Sequence, residues 1–178
     1  MTTIVALSGS LRRCSVNTAA LRAAASAAAR SGVRVVLDDS LRELPLFDPD
    51  LEPDPPSPVR EFRERLEQAD AVLLAVPEYM FGIPGAFKNA LDWTTGSLAL
   101  YRKPVAVLSV APSGRGDHVL RSLELVLTAL DADAAFRRVP VESADRDGDC
   151  EIATPGVIRS LQDVALELVN RVRGGRER

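Results

Sequence analysis

The sequence predicts an α/β fold in which a parallel sheet of five strands is covered by helices on both faces. Five short apolar or β-branched runs alternate with five segments whose apolar residues recur at helical spacing. Residues 71–76 form one such run between Asp70 and Pro77, which is typical of a strand buried on both faces. The sequence shows no internal repeat and no boundary of a second domain, so we expect residues 1–178 to form one domain.

Strands are predicted where apolar and β-branched residues cluster. In chain order these runs are residues 3–8, 33–37, 71–76, 104–110 and 134–141. Arg137 and Arg138 lie in the fifth run, which indicates a strand at an edge of the sheet. Residues 40–58, after the second run, are irregular and proline-rich, and a connection of that length is typical of a functional or interface element.

Helices are predicted after each strand. The first is rich in alanine and is expected to end near Ser31. The second is expected to begin with Ser57 as its cap and Pro58 in its first turn, and Thr154 has the same capping role for the fifth. Residues from about 174 onward are expected to form a frayed tail.

Composition and charge exclude several classes of protein. The chain has 178 residues, of which 46% are hydrophobic and 26% charged, as in a globular protein long enough to bury a core. Its net charge of −3 provides no electrostatic footprint for nucleic acid or for an anionic membrane surface. No apolar run is long enough to span a bilayer, and the N-terminus lacks the features of a signal peptide. We therefore expect a cytoplasmic protein with neither nucleic-acid nor membrane partners.

Cysteine and histidine are scarce in this chain. Cys14 and Cys150 are too few for a disulfide framework and lie far apart in the sequence. His118 is the single histidine, which limits zinc sites and any hydrolase that depends on a Ser–His or Cys–His pair. We expect His118 to be an exposed residue in the first turn of a helix, and we expect no metal site.

A polar loop follows the first strand and leads into the first helix. Its hydroxyl, amide and guanidinium side chains belong to Ser10, Arg12, Ser15, Asn17 and Thr18. Because a helix N-terminus offers unpaired N–H groups and a partial positive charge, and Arg12 adds a full one, this loop is suited to binding a phosphate. Alternatively, Ser15 or Asn17 simply caps the helix; capping and phosphate binding are compatible, and a cap alone does not require Arg12.

A second loop lies between the third strand and the third helix. It carries the rings of Tyr79 and Phe81 together with two prolines and two glycines. Loops at the carboxyl ends of parallel strands are where such sheets bind ligands, and a stiff turn that bears rings is suited to holding a flat molecule by its backbone amides. The alternative is an ordinary strand-to-helix loop whose rings are incidental.

Several familiar signatures of nucleotide-binding proteins and hydrolases are absent. The sequence contains neither G-x-x-x-x-G-K-[ST] nor a G-x-G-x-x-G after the first strand, and it lacks a G-x-S-x-G elbow. These absences disfavour a P-loop NTPase, a dinucleotide-binding fold and an α/β-hydrolase.

Two stretches carry a resemblance to a known family. Residues 9–17 resemble the G-S-x-R-x-x-S-x-N loop of the NAD(P)H-dependent FMN reductases, and residues 77–93 resemble that family's P-E-Y-N-x-S-x-P-G-x-L-K-N-A-I-D-W segment. Residues 44–48 and 113–116 also look like that family at matching places. The resemblance therefore covers nearly the whole chain.

The resemblance implies a fold, a cofactor and a site. The fold is a flavodoxin-like three-layer sandwich with strand order 2-1-3-4-5, and NADPH or NADH would pass a hydride to N5 of FMN and from there to a small-molecule acceptor such as a flavin or a quinone. The residues implied to bind FMN are Ser10, Arg12, Ser15, Asn17, Thr18, Pro77, Glu78, Tyr79, Met80, Phe81, Ser113, Gly114 and Arg115. Because the flavin carries the chemistry, we expect no catalytic side chain, and we interpret Glu78 as a surface carboxylate or a dimer contact rather than a base.

The resemblance also implies a homodimer or homotetramer with FMN near the subunit interface. The rings that we place at that interface are those of Phe47, Phe81, Trp93 and Tyr101. Alternatively, Trp93 belongs to the core beneath its helix.

Two positions depart from the family's pattern and leave other functions open. Met80 stands where the family often has Asn, and Gly82 stands where it often has Ser, so an amide and a hydroxyl near the ring are lost. One alternative is therefore a flavodoxin-like interaction module that has lost FMN. The other is a non-enzymatic FMN electron carrier, although such carriers are strongly acidic and this chain is only mildly so.

Overall fold

Alternating strands and helices, as the sequence predicts, make up the computed structural model, which describes residues 1–176. Its five described strands, β1 to β5, are Thr3–Ser8, Arg34–Asp38, Ala71–Ala75, Pro104–Ser109 and Asp133–Arg138. Its five described α-helices, α1 to α5, are Val16–Arg30, Ser57–Gln68, Gly85–Asp92, Asp117–Ala129 and Pro155–Arg176.

The sheet has the strand order β2-β1-β3-β4-β5, and every neighbouring pair is parallel. The predicted order is therefore confirmed, and β5 is an edge strand as Arg137 and Arg138 indicated. Since all strands run in one direction, the loops that follow them lie at one edge of the sheet. The loops after β1 and β3 begin side by side, where the Gly9 N–H donates to the Ala75 carbonyl at 2.8 Å.

Each face of the sheet is buried by a different set of helices. Ala71, Leu73 and Ala75 of β3 belong to the cluster that includes α1 and α5, whereas Val72 and Leu74 belong to the cluster that includes α2, α3 and α4. All five residues of β3 are buried. Because β3 lies in the centre of the sheet between two apolar layers, its sequence does not alternate between apolar and polar residues.

The long segment before α2 is fixed to α3 by two side chains. The Asn89 side chain donates to the Pro45 carbonyl at 2.9 Å and accepts from the Phe47 N–H at 2.7 Å. The Trp93 indole N–H donates to the same Pro45 carbonyl at 2.8 Å, and the Phe47 ring meets the Trp93 ring edge-on at 5.0 Å. Trp93 is fully buried, so its assignment to an interface is wrong and its assignment to the core is confirmed.

Some predicted boundaries differ from the structure. Ser57 is the first residue of α2 rather than its cap; Pro56 precedes the helix and makes no side-chain capping bond. The fifth strand ends at Arg138 rather than at 141, although the Val139 N–H still donates to the Ser109 carbonyl of β4 at 3.0 Å. Helix α5 continues through the predicted tail as far as Arg176, and residues 177–178 lie outside the described residues.

The two cysteines, which gave no pairing signal in the sequence, are joined in the structure. Cys14, in the loop after β1, forms a disulfide with Cys150, in the loop before α5, and their Cα atoms are 5.6 Å apart. The sequence could not indicate this pairing, because 136 residues of sequence separation say nothing about distance in the folded chain.

Candidate functional site

The loop after β1 presents unpaired backbone N–H groups at the start of α1. Ser15 is the N-cap residue, and its Oγ accepts from the Asn17 N–H at 3.2 Å. Within residues 1–176, the N–H groups of residues 13–16 have no hydrogen-bond acceptor. Capping by Ser15 is therefore confirmed, and it leaves a row of donors at the positive end of a 15-residue helix, which is an arrangement that binds anions.

Polar side chains flank these donors. The Thr18 hydroxyl donates to Ser8 Oγ at 3.0 Å, which places Thr18 against the end of β1. The Arg12 guanidinium makes no hydrogen bond or ion pair with any other part of residues 1–176. Ser10, Arg12 and Thr18 line one cavity of about 370 Å³ together with Arg13 and other residues. A phosphate bound here would meet both free N–H groups and an unpaired guanidinium.

The loop after β3 contains a two-residue hairpin. Tyr79 and Gly82 exchange both backbone hydrogen bonds, at 3.1 and 3.0 Å. Met80 and Phe81 between them have φ angles of 49° and 60°, as a type I′ turn requires. Asn adopts that left-handed conformation more readily than Met does, so the residue at position 80 determines how strained the turn is. The Met80 side chain is 96% exposed.

Glu78 connects this loop to α4. Its Oε2 accepts from the N–H groups of His118 and Val119, at 2.9 and 3.1 Å. The N-cap residue Gly116 has no side chain, so Glu78 supplies the capping acceptor from a different loop. Glu78 is therefore neither a free surface carboxylate nor a base, because its charge stabilises the positive end of α4. His118, in turn, is an exposed first-turn residue as predicted, and its ring meets that of Phe81 at 4.9 Å.

A cavity of about 510 Å³ lies between these three loops, which is within the range of about 300–1,000 Å³ for cofactor and ligand sites. Its lining residues come from the start of α1, the loop after β3 and the loop after β4: Val16, Asn17, Pro77, Glu78, Phe81, Val110, Ala111, Pro112, Gly114, Arg115, Gly116, Asp117 and His118. Asn17 is 4% exposed, and its Oδ1 has no hydrogen-bond partner within residues 1–176. A buried amide oxygen without a partner is costly, so this atom fits a ligand hydroxyl in the cavity.

The loop after β4 also leaves donors free toward the cavity. Gly114 and Gly116 have φ angles of 79° and 91°, and within the described residues their N–H groups have no acceptor. A Cβ on Gly116 would lie 2.5 Å from Ser109 Oγ, so the turn requires glycine there. Such amides can stabilise negative charge that develops on a bound ring.

The structure brings together some of the predicted site residues and separates others. Asn17, Pro77, Glu78, Phe81, Gly114 and Arg115 line the 510 Å³ cavity. Ser10, Arg12 and Thr18 line the neighbouring 370 Å³ cavity. Ser15, Tyr79, Met80 and Ser113 line neither of these two cavities. Sequence analysis did not indicate that Glu78 caps α4. The donors are the backbone N–H groups of His118 and Val119, and backbone donors leave no signature in the residue types.

The loop between β5 and α5 is hydrogen-bonded to one of the loops of this site. The Ser113 N–H donates to Glu142 Oε1 at 3.0 Å, which ties the loop after β4 to it. Hydrogen bonds from the Thr154 hydroxyl and the Glu142 N–H hold the pKa of Asp145 below its ordinary value and order this loop internally. Nothing in the sequence pattern indicated that the loop between β5 and α5 bonds to the loop after β4.

Residues 1–176 contain no group of three or more His, Cys, Asp or Glu side chains that could hold a metal ion. No helix in the same part of the chain is long and apolar enough to cross a bilayer.

The chain is similar to proteins of known class. The sequence model of the NADPH-dependent FMN reductase family matches residues 2–144. A rice (Oryza sativa subsp. japonica) protein named probable NADPH:quinone oxidoreductase 2 is 32% identical over 174 residues, which are 93% of this chain and 86% of the rice protein. The quinone reductase of Escherichia coli strain K12 is 33% identical over 135 residues, 71% of each chain. The structure of FerB, a flavoenzyme NAD(P)H:(acceptor) oxidoreductase from Paracoccus denitrificans, superposes with a TM-score of 0.80 at 25% identity over 98% of both chains.

The Glu78 contact generates a prediction about stability. Glu78→Ala removes the acceptor of two N–H groups at the start of α4, so we expect the free energy of unfolding to fall by about 1–2 kcal/mol. Glu78→Gln keeps an oxygen acceptor but loses the charge, and we expect a loss of about half that size. Urea unfolding followed by circular dichroism measures both.

A matched control for this prediction is Glu124→Gln, which removes a carboxylate from an exposed position of the same helix. We expect its effect to stay within about 0.5 kcal/mol. A loss for Glu78→Ala no larger than that of the control would mean that Glu78 does not stabilise α4.

Proposed function

Because this chain belongs to the NADPH-dependent FMN reductase family, and is therefore an oxidoreductase that uses FMN with NAD(P)H as electron donor, we propose that it reduces quinones. The single observation that carries this acceptor class is the length of the match to a quinone oxidoreductase, which includes 93% of this chain. We propose NADPH as the donor, since the family and that relative are both named for it.

We propose that the loop after β1 binds the FMN phosphate. The free N–H groups of residues 13–16, the unpaired Arg12 guanidinium and the hydroxyls of Ser10 and Thr18 support this placement. Ser15 contributes indirectly because it caps α1 and keeps the donors oriented. Asn17, whose Oδ1 is buried without a partner, would accept a hydrogen bond from the ribityl chain.

The ring of FMN is proposed to occupy the 510 Å³ cavity. Pro77, Glu78 and Phe81 form one wall, and residues 114–116 form the opposite one. When bound, FMN supplies the redox chemistry, accepting a hydride from NADPH and passing two electrons on to the acceptor. The free N–H groups of Gly114 and Gly116 would stabilise negative charge on the reduced ring, and Arg115 at the cavity wall adds a positive charge.

The chain's other residues orient the reactants rather than transfer protons. Glu78 is occupied by the start of α4, and His118 lies at the cavity wall with its ring against Phe81. Proton donation to the acceptor is therefore left to water. Phe81 is exposed and lines the cavity, where a flat acceptor can stack on it.

The location of the two departures from the family's pattern, residues 80 and 82, favours an enzyme over an interaction module. Met80 is almost fully exposed, and neither Met80 nor Gly82 lines the two cavities described above. The lost amide and hydroxyl therefore change the turn, whereas the predicted FMN contacts at Asn17 and residues 114–116 remain. The mild net charge of −3 is also unlike that of an acidic electron carrier.

We propose a homodimer or homotetramer in which the rim of the cavity is covered by a second copy. Apolar side chains exposed on the hairpin of the loop after β3 support this: Tyr79, Met80 and Phe81. Phe81 and Tyr101 remain candidates for the interface, while Phe47 packs on the buried Trp93. A cytoplasmic location is proposed because the donor NADPH is held inside cells.

The proposed activity can be tested by mixing the FMN-loaded chain with NADPH without oxygen. We expect the visible flavin band to bleach faster than that of free FMN, and 1,4-benzoquinone added afterwards to restore it. Bleaching at the rate of free FMN, with NADH tried as well, would refute the enzyme. Bleaching that benzoquinone does not reverse would refute the quinone acceptor alone.

The phosphate placement predicts a specific defect in Arg12→Ala. Removing one charge-assisted contact should raise the Kd for FMN about 10- to 100-fold and leave the Kd for riboflavin, which lacks the phosphate, within about twofold. Fluorescence titration with each flavin measures this. Arg159→Ala, which removes an exposed arginine from α5, is the matched control and should change neither value. An equal loss for FMN and riboflavin would place Arg12 elsewhere than at the phosphate.

A further inference from the structure

The disulfide between Cys14 and Cys150 lies inside the proposed phosphate site. Cys14 is the second of the four residues whose N–H groups are free, and it precedes the N-cap Ser15. Both cysteines are only half-buried, so thiol reagents can approach the bond. We propose that this disulfide is a reversible redox switch on FMN binding, a role that rests on the proposed phosphate placement.

The bond joins the phosphate loop to a closing segment, residues 142–151. That segment is also tied to the loop after β4, because Glu142 accepts from the Ser113 N–H. Apart from the bond, the direct contacts between Cys14 and this segment come from the Arg146 guanidinium, 3.4 Å from the Cys14 carbonyl oxygen and 3.2 Å from Cys14 Sγ. An ion pair of Arg22 with Glu151 is about half exposed and contributes little. The disulfide is therefore the covalent connection between the two loops, and the Arg146 hydrogen bonds accompany it.

The closing segment holds Cys150 in a conformation that the bond helps to maintain. Cys150 has a φ of 67°, which is unfavourable for a residue other than glycine. Its N–H donates to the Asp147 carbonyl at 3.2 Å, and its carbonyl accepts from Arg146 at 2.9 Å. Opening the disulfide allows residue 150 to relax and leaves Cys14 without its covalent anchor.

Loss of that anchor should weaken the binding of FMN. The N–H groups of residues 13–16 bind a phosphate well only while their backbone is held in place, because a mobile loop must be ordered when the ligand binds. In the oxidised chain the loop is already ordered for binding, whereas in the reduced chain it is not. We infer that the oxidised protein retains FMN and that the reduced protein exchanges it.

The switch requires a thiol reductant, and a dithiol is the proposed class. Its thiolate attacks Cys150 Sγ, the disulfide breaks, and Cys14 leaves as a thiolate beside the positive Arg146 guanidinium, which favours it as the leaving group. The second thiol of the reductant then displaces Cys150 from the mixed disulfide. The reductant ends as a disulfide, and the two cysteines have gained two electrons and two protons. A low-molecular-weight disulfide reverses the reaction.

The test compares the full-length chain in its oxidised and dithiothreitol-reduced states, each verified by alkylation of free thiols and mass spectrometry. Fluorescence titration gives the Kd for FMN in each state. We expect reduction to raise that Kd at least about tenfold. Cys150→Ser should bind FMN as the reduced chain does and should not respond to dithiothreitol, which separates the effect of the bond from that of the reagent.

Amide hydrogen exchange provides a second readout that does not need FMN. In the absence of ligand, residues 9–17 should exchange faster in the reduced chain, whereas β3, buried in the centre of the sheet, should not change. The oxidised chain could bind no FMN while the amide exchange of residues 9–17 still depends on the disulfide. In that case the proposed FMN site is wrong, but the proposed response of the loop to reduction of the disulfide is supported.

Two outcomes overturn the proposal. Equal Kd values and equal exchange in the two states would show that the bond is purely structural. Alkylation of both cysteines in the denatured chain after exposure to an oxidising disulfide would show that the bond does not form.

Discussion

The parallel direction of the five strands is the constraint on which the site depends. Because every strand ends at the same edge, the loops after β1, β3 and β4 meet there without any long-range side-chain contact to recruit them. The order β2-β1-β3-β4-β5 sends the chain in opposite directions from β1, so that a crevice opens at the β1–β3 boundary. The start of α1 and the loop after β4 both line this site, and the free N–H groups of residues 13–16, 114 and 116 suit ligands with negative or hydrogen-bond-accepting groups.

Contacts between loops then give the crevice a defined shape. Hydrogen bonds to Glu78 connect the loop after β3 to the first turn of α4, and a hydrogen bond to Glu142 connects the loop before α5 to Ser113. Cys14 is bonded to Cys150, which joins the loop after β1 to the loop before α5. Each contact joins two loops that belong to different strands, so the site is held together at the sheet edge as well as by the core below it. Glu78, which the sequence analysis weighed as a base, therefore supports the structure of the site.

Much of the fold could be predicted because its signals are local. The apolar run of β3 and the alanine-rich face of α1 determine strand and helix through short-range periodicity, and the loop motifs determine the family. The long-range contacts could not be predicted in this way. The pairing of Cys14 with Cys150 spans 136 residues, and the acceptor role of Glu78 depends on backbone N–H groups that have no sequence signature. The burial of Trp93 was open in the sequence because a ring in an amphipathic helix can face either the core or a partner.

The central claim is that FMN binds at the sheet edge with its phosphate on the loop after β1 and its ring between the loops after β3 and β4. The crystal structure of the chain with FMN is the most direct test. We predict density for the phosphate within hydrogen-bond distance of the N–H groups of residues 13–16, and for the ring between Phe81 and Gly114. A ring bound instead in the 370 Å³ cavity beside Leu41, or a phosphate away from α1, would contradict the account.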